Sequence, residues 1–524
     1  MKPTPTLSSM PTPGMLSNLK RGAQIMWALG RYRALDLIPP PILPLATKRW
    51  LQWMPAHPKL KQYPPHQHLR LLLIELGPLF IKLGQLLATR REWLPEDIAI
   101  DLAQLQDQVP GFDPQHAQRI IETELGQSID TLFTRFDLAP LASASLAQVH
   151  TAALPSGEEV VVKVLRPGVR ERIAQDLSLF KRLTTLAEKR FPELERLHLT
   201  RVAQDYETIL RNEVSLINEG IQTQAFYHHF QGSPDLAVPK VYPNLSTDGV
   251  LTMERMYGTP INQVTTFKEN NIDLSQLAQM GVRIFLKQVF TDNFFHADMH
   301  PGNVHVDIRN PECPQYISLD NAIAGTLEPA DQLLLARQLV AFMQEDFDEL
   351  ARLMIQAGWV PEETALAAFS LTLRAIFTPL INQPLSQIEF GPVLIRLFTA
   401  AERFHLRSLP QFVLLEKTLI HVEGLGTQLD PNLNIWPILR PHMEQFVRRQ
   451  LCPIHALKTL KQRWPDVVSH TAKVLTRTPS LSEIHAPTPI TTQAAPSVVW
   501  WAAIIAIITA SFLFGLAIAP TLTP

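Results

Sequence analysis

Between Leu71 and Ala88 the chain is mostly apolar, yet Glu75, Pro78 and Lys82 interrupt the run. An ion at mid-bilayer costs roughly 2.5 kcal/mol or more, so the segment is expected to be a buried helix of a soluble domain. Leu102, Leu105, Val109 and Pro110 follow, and Pro114 to Leu125, closed by Gly126, reads as another helix. The pattern then changes to a strand pair over residues 136–165, with Pro155-Ser156-Gly157-Glu158 turning the chain before Glu159 to Leu165 returns. Residues 199–230 form a long helical stretch in which Glu207, Glu213 and Glu219 recur every six positions, a spacing that keeps them off a common face. Val250 to Gly258 predicts a strand ending in a glycine turn. Leu274 to Phe295 predicts an apolar helix, and Pro329 to Gln450 alternates helical segments with Pro or Gly breaks. Val498 to Ala519 carries no charge. At 1.5 Å per residue it reaches about 33 Å, enough to cross a bilayer core, so a transmembrane helix is expected there.

Composition narrows the classes. A length of 524 residues excludes a single small module and suits a two-lobed domain with appendages. The net charge of -2 gives no electrostatic argument for nucleic acid. Cys313 and Cys452 are the only cysteines, so there is neither a disulfide framework nor a C-x-x-C site, and a reducing compartment fits best. Prolines gather at the N-terminus, around residues 39–65 and between 478 and 496, which marks linkers. Residues 1–14 lack the features of a secretory signal. Met15 to Met54 mixes Lys20, Arg21, Arg31, Arg33, Lys48 and Arg49 with Trp27, Trp50 and Trp53. That mixture suits a helix lying among lipid headgroups, and equally an amphipathic helix packed on its own domain. After Gln450 the chain turns basic through Lys458, Lys461, Arg463, Lys473 and Arg477, upstream of the apolar span, so the positive-inside rule keeps the main domain cytoplasmic.

Candidate chemistry concentrates at four places. Lys163 sits inside Val160-Val161-Val162-Lys163-Val164, where a lone buried charge needs a partner or a ligand. The preceding Ala142-Ser143-Ala144-Ser145 joins two strands with small residues, as a phosphate-covering loop would and as a simple tight turn would. Lys82 and Gln85 share a helix face, with Gly84 permitting close approach of another backbone; they could reach a phosphate, or Lys82 could be merely solvated. Last, His296-Ala297-Asp298-Met299-His300-Pro301-Gly302-Asn303 precedes an apolar run ending in Leu319-Asp320. An Asp, an Asn five residues on and a second Asp after the next strand can supply one hydroxyl-orienting carboxylate and two magnesium ligands, although a metal-binding loop or a polar turn fits the octet too.

With these motifs in one order from about Leu71 to Leu327, the sequence resembles the UbiB family of atypical protein-kinase-like proteins, which is linked to ubiquinone biosynthesis. The resemblance rests on Lys82-x-Gly84-Gln85, on Thr89-Arg90 and Leu94-Pro95, and on Ala147-Gln148-Val149-His150. Val162-Lys163-Val164 with Arg166-Pro167-Gly168, and the His296 to Asn303 octet, complete it. It implies an α+β, two-lobed protein-kinase-like fold with an N-terminal helical extension, to which the C-terminal transmembrane helix is added. The expected organisation is a disordered or amphipathic segment over 1–65, the helical extension over 66–135, an N-lobe over 136–256 and a helical C-lobe over 257–450. A basic juxtamembrane segment and linker occupies 451–497, and the membrane helix 498–519.

The resemblance further implies that MgATP binds between the lobes. Lys163 would contact phosphates and pair with Glu219, while Asp298 would orient the attacking water or hydroxyl. Asn303 and Asp320 would hold magnesium. Ala142, Ser143, Ala144, Ser145, Glu254 and Met256 would line the nucleotide, and Lys82, Gly84, Gln85 and Glu213 would regulate the site. Departures from the family pattern are Ser215, which removes the carboxylate of a Glu-x-Asp motif, Asp320-Asn321-Ala322 in place of Asp-Phe-Gly, Ser143 in place of Ala, and one apolar C-terminal helix rather than two. The expected function is a membrane-anchored kinase-like ATPase supporting isoprenoid-quinone biosynthesis at the bacterial inner membrane. Its partners would be membrane lipids, quinone-pathway intermediates and quinone-biosynthesis enzymes, with no nucleic acid. A pseudokinase scaffold and a lipid or small-molecule kinase are the alternatives.

Overall fold

The computed structural model describes residues 15–33, 53, 55–88, 96–106, 111–190, 199–297, 299, 301–378, 400, 403–404 and 410–450. They divide into two compact units. The first takes in the described residues up to Ala225 together with Pro239–Met256; the second takes in Phe226–Val238 and the described residues from Tyr257 on.

The first unit opens with α1 (Met15–Arg31), α2 (His68–Leu76), α3 (Pro78–Ala88) and α4 (Glu96–Ala103). The single helix expected over Leu71 to Ala88 is therefore two. Gly77 adopts φ 105°, which favours glycine, Pro78 cannot donate a backbone hydrogen bond, and the Leu76 carbonyl at the corner accepts from both Arg21 and Arg172. Of the two readings of the N-terminal segment, the structure shows the packed one for α1. Ala28, Leu29 and Tyr32 bury against Leu72 and Leu76, and Arg21 donates to Asp176 at 2.6 and 2.9 Å. Then α5 (Pro114–Leu125) runs as the sequence predicts. Asp113 caps it by accepting from the Gln115 N–H, Pro114 supplies a preset φ at its first position, and left-handed Gly126 closes it. The one-turn α6 (Ile129–Leu132) leads into the sheet.

Strands β1 (Arg135–Phe136), β2 (Ala142–Ser143), β3 (Ala147–Ala153) and β4 (Glu159–Leu165) precede α7 (Val169–Arg190), α8 (Leu199–Glu213) and α9 (Leu216–Phe230). After β5 (Leu236–Ala237), which belongs to the second unit, β6 (Val250–Glu254) completes the first unit's antiparallel sheet in the order β1-β3-β4-β6, with β2 also on β3. Along β4 the period of two puts Val160, Val162 and Val164 into the core with Ile121, Phe133 and Val250. Each such burial contributes about 1.5–3 kcal/mol. Lys163 faces the other side, where Leu79, Leu210, Leu216 and Leu251 form a second cluster. The long helix expected over 199–230 is broken at Ser215, so α8 and α9 have independent phases.

In the second unit, β7 (Thr259–Pro260), α10 (Val264–Glu269) and α11 (Leu274–Leu286) come first. Asp273 caps α11 by accepting from the Ser275 and Gln276 N–H groups. The expected helix to Phe295 instead widens into a π-type turn over Lys287–Asp292 and reverses at left-handed Asn293, whose side-chain amide brackets the Leu327 backbone. There follow β8 (Phe295–His296), β9 (Val304–Asp307), β10 (Gln315–Ser318) and β11 (Ala324–Gly325). The sheet order is β5-β10-β9-β7, and β8 pairs with β11 separately. Gly258 is needed for close approach, not a turn: a Cβ there would lie 2.8 Å from Ile317 and 3.2 Å from the Val306 carbonyl. Helices α12 (Pro329–Met343), α13 (Phe347–Gln356), α14 (Leu366–Phe377), α15 (Pro410–Leu429) and α16 (Trp436–Gln450) follow. Among the described residues no helix is long and apolar enough to cross a membrane. The span expected at 498–519, the segments 1–14 and 451–497, Thr89 to Pro95, and Asp298 lie outside the described residues.

Candidate functional site

In the first unit the site is an ion pair set into the sheet. Lys163 lies opposite Val149 on β3 and Leu251 on β6, and its Nζ donates to both Glu219 oxygens at 2.6 and 2.8 Å. Glu219, on the first turn of α9, is 2% exposed. A carboxylate so buried is tolerable because the ammonium satisfies both oxygens. The other two glutamates take different cations: Glu213 lies 3.0 Å from Lys82, and Glu207 accepts from Lys181 at 2.7 Å and Arg211 at 2.6 Å. The Tyr206 phenol is pushed well above its usual pKa, first by burial and then by the Glu213 charge.

The α3 helix carries Lys82, Gly84 and Gln85. Gln85 donates to the Leu105 carbonyl at 3.0 Å, which ties α3 to the turn after α4. Close approach at Gly84 is by side chains, which corrects the expected backbone contact. A Cβ there would meet Leu105 and Leu73 methyls at 2.5 and 2.6 Å.

The small-residue loop is fastened from behind by Arg166, which motif reading places but gives no task. Its Nε donates to the Ala144 carbonyl at 2.9 Å and its Nη2 to Ser143 Oγ at 2.8 Å, while the guanidinium lies 5.8 Å over the Phe112 ring. Burial pushes the Arg166 pKa down. The Ala144 N–H donates to the Ala147 carbonyl at 2.8 Å, so the turn is tight despite having no glycine, and Ser145 is buried within it. Gln148 and His150, fully buried on β3, also have structural tasks. His150 Nδ1 donates to the Asp137 carbonyl, Gln148 Nε2 donates to His150 Nε2, and Gln148 Oε1 accepts from the Phe112 N–H. This pattern fits His150 as neutral imidazole, one ring nitrogen donating and the other accepting, and burial lowers its pKa. At the end of β6, Glu254 exchanges backbone and side-chain hydrogen bonds with Lys240, and the first unit ends at Met256, which is half-buried.

In the second unit the candidate metal ligands sit at one end of the β9–β10 hairpin. Val304 pairs with Ser318, and the next residues outward are Asn303, whose carbonyl accepts from Leu319, and then Asp320. Asp320 Oδ1 accepts from the Ala322 N–H at 3.1 Å, and its carbonyl accepts from His296 Nε2 at 2.6 Å. His296 is buried and anchored through its own backbone, whose carbonyl accepts from Thr418 and whose N–H donates to Gln288. Asn321 is fully buried: its Oδ1 accepts from Ser318 Oγ at 2.6 Å, and its Nδ2 has no hydrogen-bond partner among the described residues. Among the described residues no cluster of three or more His, Cys, Asp or Glu is arranged to hold a metal. The amide oxygen of Asn303 and the carboxylate of Asp320 are hard donors of the kind magnesium takes in ones and twos, with phosphate and water completing the shell, so this donor pair fits magnesium.

Residues 104–354 match the ABC1 atypical kinase-like domain, and residues 373–434 match the UbiB helical domain. A protein of Azotobacter vinelandii named "Probable protein kinase UbiB" is 44% identical over 475 residues, 90% of this chain and 88% of that one. The chain belongs to the UbiB family. A UbiB protein of Pseudomonas aeruginosa with the same name is 45% identical over 456 residues, covering 86% and 85% of the two chains. A solved structure titled as the complex of Rv3197 with erythromycin from Mycobacterium tuberculosis aligns with TM-score 0.49 and 20% identity over 70% of this chain and 94% of that one. The kinase-like match of this UbiB chain contains Lys163, Glu219, Asn303 and Asp320, while α3, with Lys82 and Gln85, precedes it.

Proposed function

We propose that the protein is a membrane-anchored atypical kinase-like ATPase that binds ATP with magnesium and supports the biosynthesis of ubiquinone or a related isoprenoid quinone. The observation that carries this reading is the buried, two-pronged Lys163–Glu219 pair, because it holds an ammonium at a fixed point on a sheet beside a small-residue loop. In this reading Lys163 contacts the α and β phosphates, backbone N–H groups of Ala142 to Ser145 face the phosphate chain, and Glu254 and Met256 contact the rest of the nucleotide. Asp298 orients the water that attacks the γ-phosphoryl group, with ADP leaving. Asn303 and Asp320 hold magnesium, which neutralises phosphate charge when bound. Lys82, Gly84, Gln85 and Glu213 adjust the site through α3.

The apolar span 498–519 anchors the chain in the bacterial inner membrane with the kinase-like domain in the cytoplasm. Its partners are membrane lipids, quinone-pathway intermediates and the enzymes that process them. The test is complementation of a bacterial strain lacking its own UbiB, read as ubiquinone content, alongside ATP hydrolysis by the purified full chain. Lys163→Met and Asp298→Asn are expected to lose both, and normal quinone with either variant defeats the ATPase reading. A second reading, a scaffold that binds nucleotide without turnover, is favoured by one observation: Asn321 is buried in the segment after Asp320, and the Ala322 N–H occupies a carboxylate oxygen of Asp320. It expects Asp298→Asn to complement fully.

A further inference from the structure

Both partners of the Lys163–Glu219 pair trace back to one short segment, residues 247–251, that no motif singles out. On one side, Leu251 is the cross-strand partner of Lys163. On the other, Asp248 holds the N-terminus of α9, the helix that carries Glu219. The Leu216 N–H donates to the Asp248 carbonyl at 3.2 Å, and Ser215 Oγ donates to Asp248 Oδ1 at 2.6 Å. The Ser215 carbonyl in turn accepts from the Glu219 N–H at 3.2 Å, so the residue held by Asp248 directly holds Glu219. Arg170, whose side chain is 7% exposed, locks this corner. It lies 3.0 Å from Asp248 Oδ2 and also donates to the Asp248 and Val214 carbonyls. Gly220 seats α9 on the same segment, since a Cβ there would lie 3.0 Å from Leu251 Cδ1.

We infer that Asp248, with Arg170 and Ser215, is a positioning residue that fixes Glu219 against Lys163. The arrangement works because α9 begins with a cap whose hydroxyl is itself fixed by a charged acceptor, and such bonds are stronger than those between neutral groups. A helix pinned at its first residue holds its first turn within narrow limits, and Glu219 is on that turn.

The inference rests on the ATP reading only where its test uses ATP, so the experiment has two arms. The first is hydrogen exchange on the full chain, comparing the unaltered protein with Asp248→Ala, which keeps the backbone carbonyl contacts. Amides of the first turn of α9 are expected to exchange about tenfold faster, with β3 unchanged. The second is ATP affinity, expected to fall about tenfold, as is usual when the support of a site residue is removed. In a Glu219→Gln background the same change is expected to have no further effect on affinity. Unchanged exchange in α9, exchange raised everywhere alike, or an affinity loss of equal size in the Glu219→Gln background overturns the inference. If the unaltered chain binds no ATP, the proposed function fails and the exchange arm alone decides this one. Should Asp248→Ala not fold, Ser215→Ala, which leaves the Arg170–Asp248 pair in place, replaces it in both arms, with the same results expected and the same results overturning the inference.

Discussion

Replacing Lys163 by Met tests how much the central ion pair contributes to the first unit. The substitution keeps the length and the apolar stem and removes only the ammonium. Glu219, 2% exposed, is then left with its oxygens facing a thioether. At the observed separations of 2.6 and 2.8 Å, an effective dielectric near 20 gives a gross attraction of roughly 6 kcal/mol. Desolvation offsets much of that, and removing one partner of a buried pair typically costs about 3–5 kcal/mol. Because Lys163 retains 14% exposure, the lower end applies and about 3 kcal/mol is expected. Removing both charges in Lys163→Met/Glu219→Leu should cost clearly less than the sum of the two single changes, because no buried charge is left unpaired. A chain of two units need not unfold in one step, so native-state hydrogen exchange of the β4 and β6 amides is the assay, since it reads the opening of this sheet alone. A loss under about 0.5 kcal/mol in Lys163→Met, or strict additivity in the double variant, would refute the reasoning.

Three further outcomes follow from contacts away from this pair. Arg21→Met leaves the fully buried Asp176 side chain, whose pKa burial raises and Arg21 pulls back, without its bidentate partner. A cost of about 3 kcal/mol is expected, with new protease cuts within α1; an unchanged digestion pattern would contradict the packed reading of that helix. Gly325→Ala places a Cβ 2.5 Å from the Phe295 ring, so thermal unfolding should show a loss of about 1–3 kcal/mol, and an unshifted transition would mean that β8 and β11 separate freely. His150, held below its ordinary pKa by burial, stays neutral in the folded chain while the unfolded chain takes up a proton. Its share of stability is therefore intact above about pH 6.5 and is lost as pH falls below that, at up to about 1.4 kcal/mol per pH unit. His150→Gln should flatten that part of the stability profile between about pH 7.5 and 5.5, and equal slopes would contradict the assignment.

What could be read from the sequence divides by the range of the interactions involved. The helix near Pro114 to Leu125 was legible because Pro114 and Gly126 are local signals, and the Asp113 cap agrees with them. A lone charge within the β-branched run of β4 showed that Lys163 needs a partner or a ligand, but that partner, Glu219, lies 56 residues on. Spacing alone left three glutamates open, since the break at Ser215 resets the phase between Glu213 and Glu219. The corner at Gly77 was missed although Gly-Pro marks it, because hydrophobicity continues through it; the guanidinium groups that occupy the Leu76 carbonyl come from 55 and 96 residues away. The widened turn at Lys287–Asp292 has no local signal at all, being held by the bracket between Asn293 and Leu327. The tasks of Arg166 and Asp248 were invisible for the same reason: each acts through groups 22 to 78 residues distant.

The most direct test is calorimetric titration of ATP into the full chain with and without magnesium, for the unaltered protein, Lys163→Met and Asp320→Asn. Saturable binding that strengthens with magnesium is expected, weakened about tenfold or more by Lys163→Met, a loss of at least about 1.4 kcal/mol. Asp320→Asn is expected to abolish the magnesium dependence and leave the weaker magnesium-free binding in place. Binding indifferent to both substitutions, or no binding by the unaltered chain, would contradict the nucleotide site.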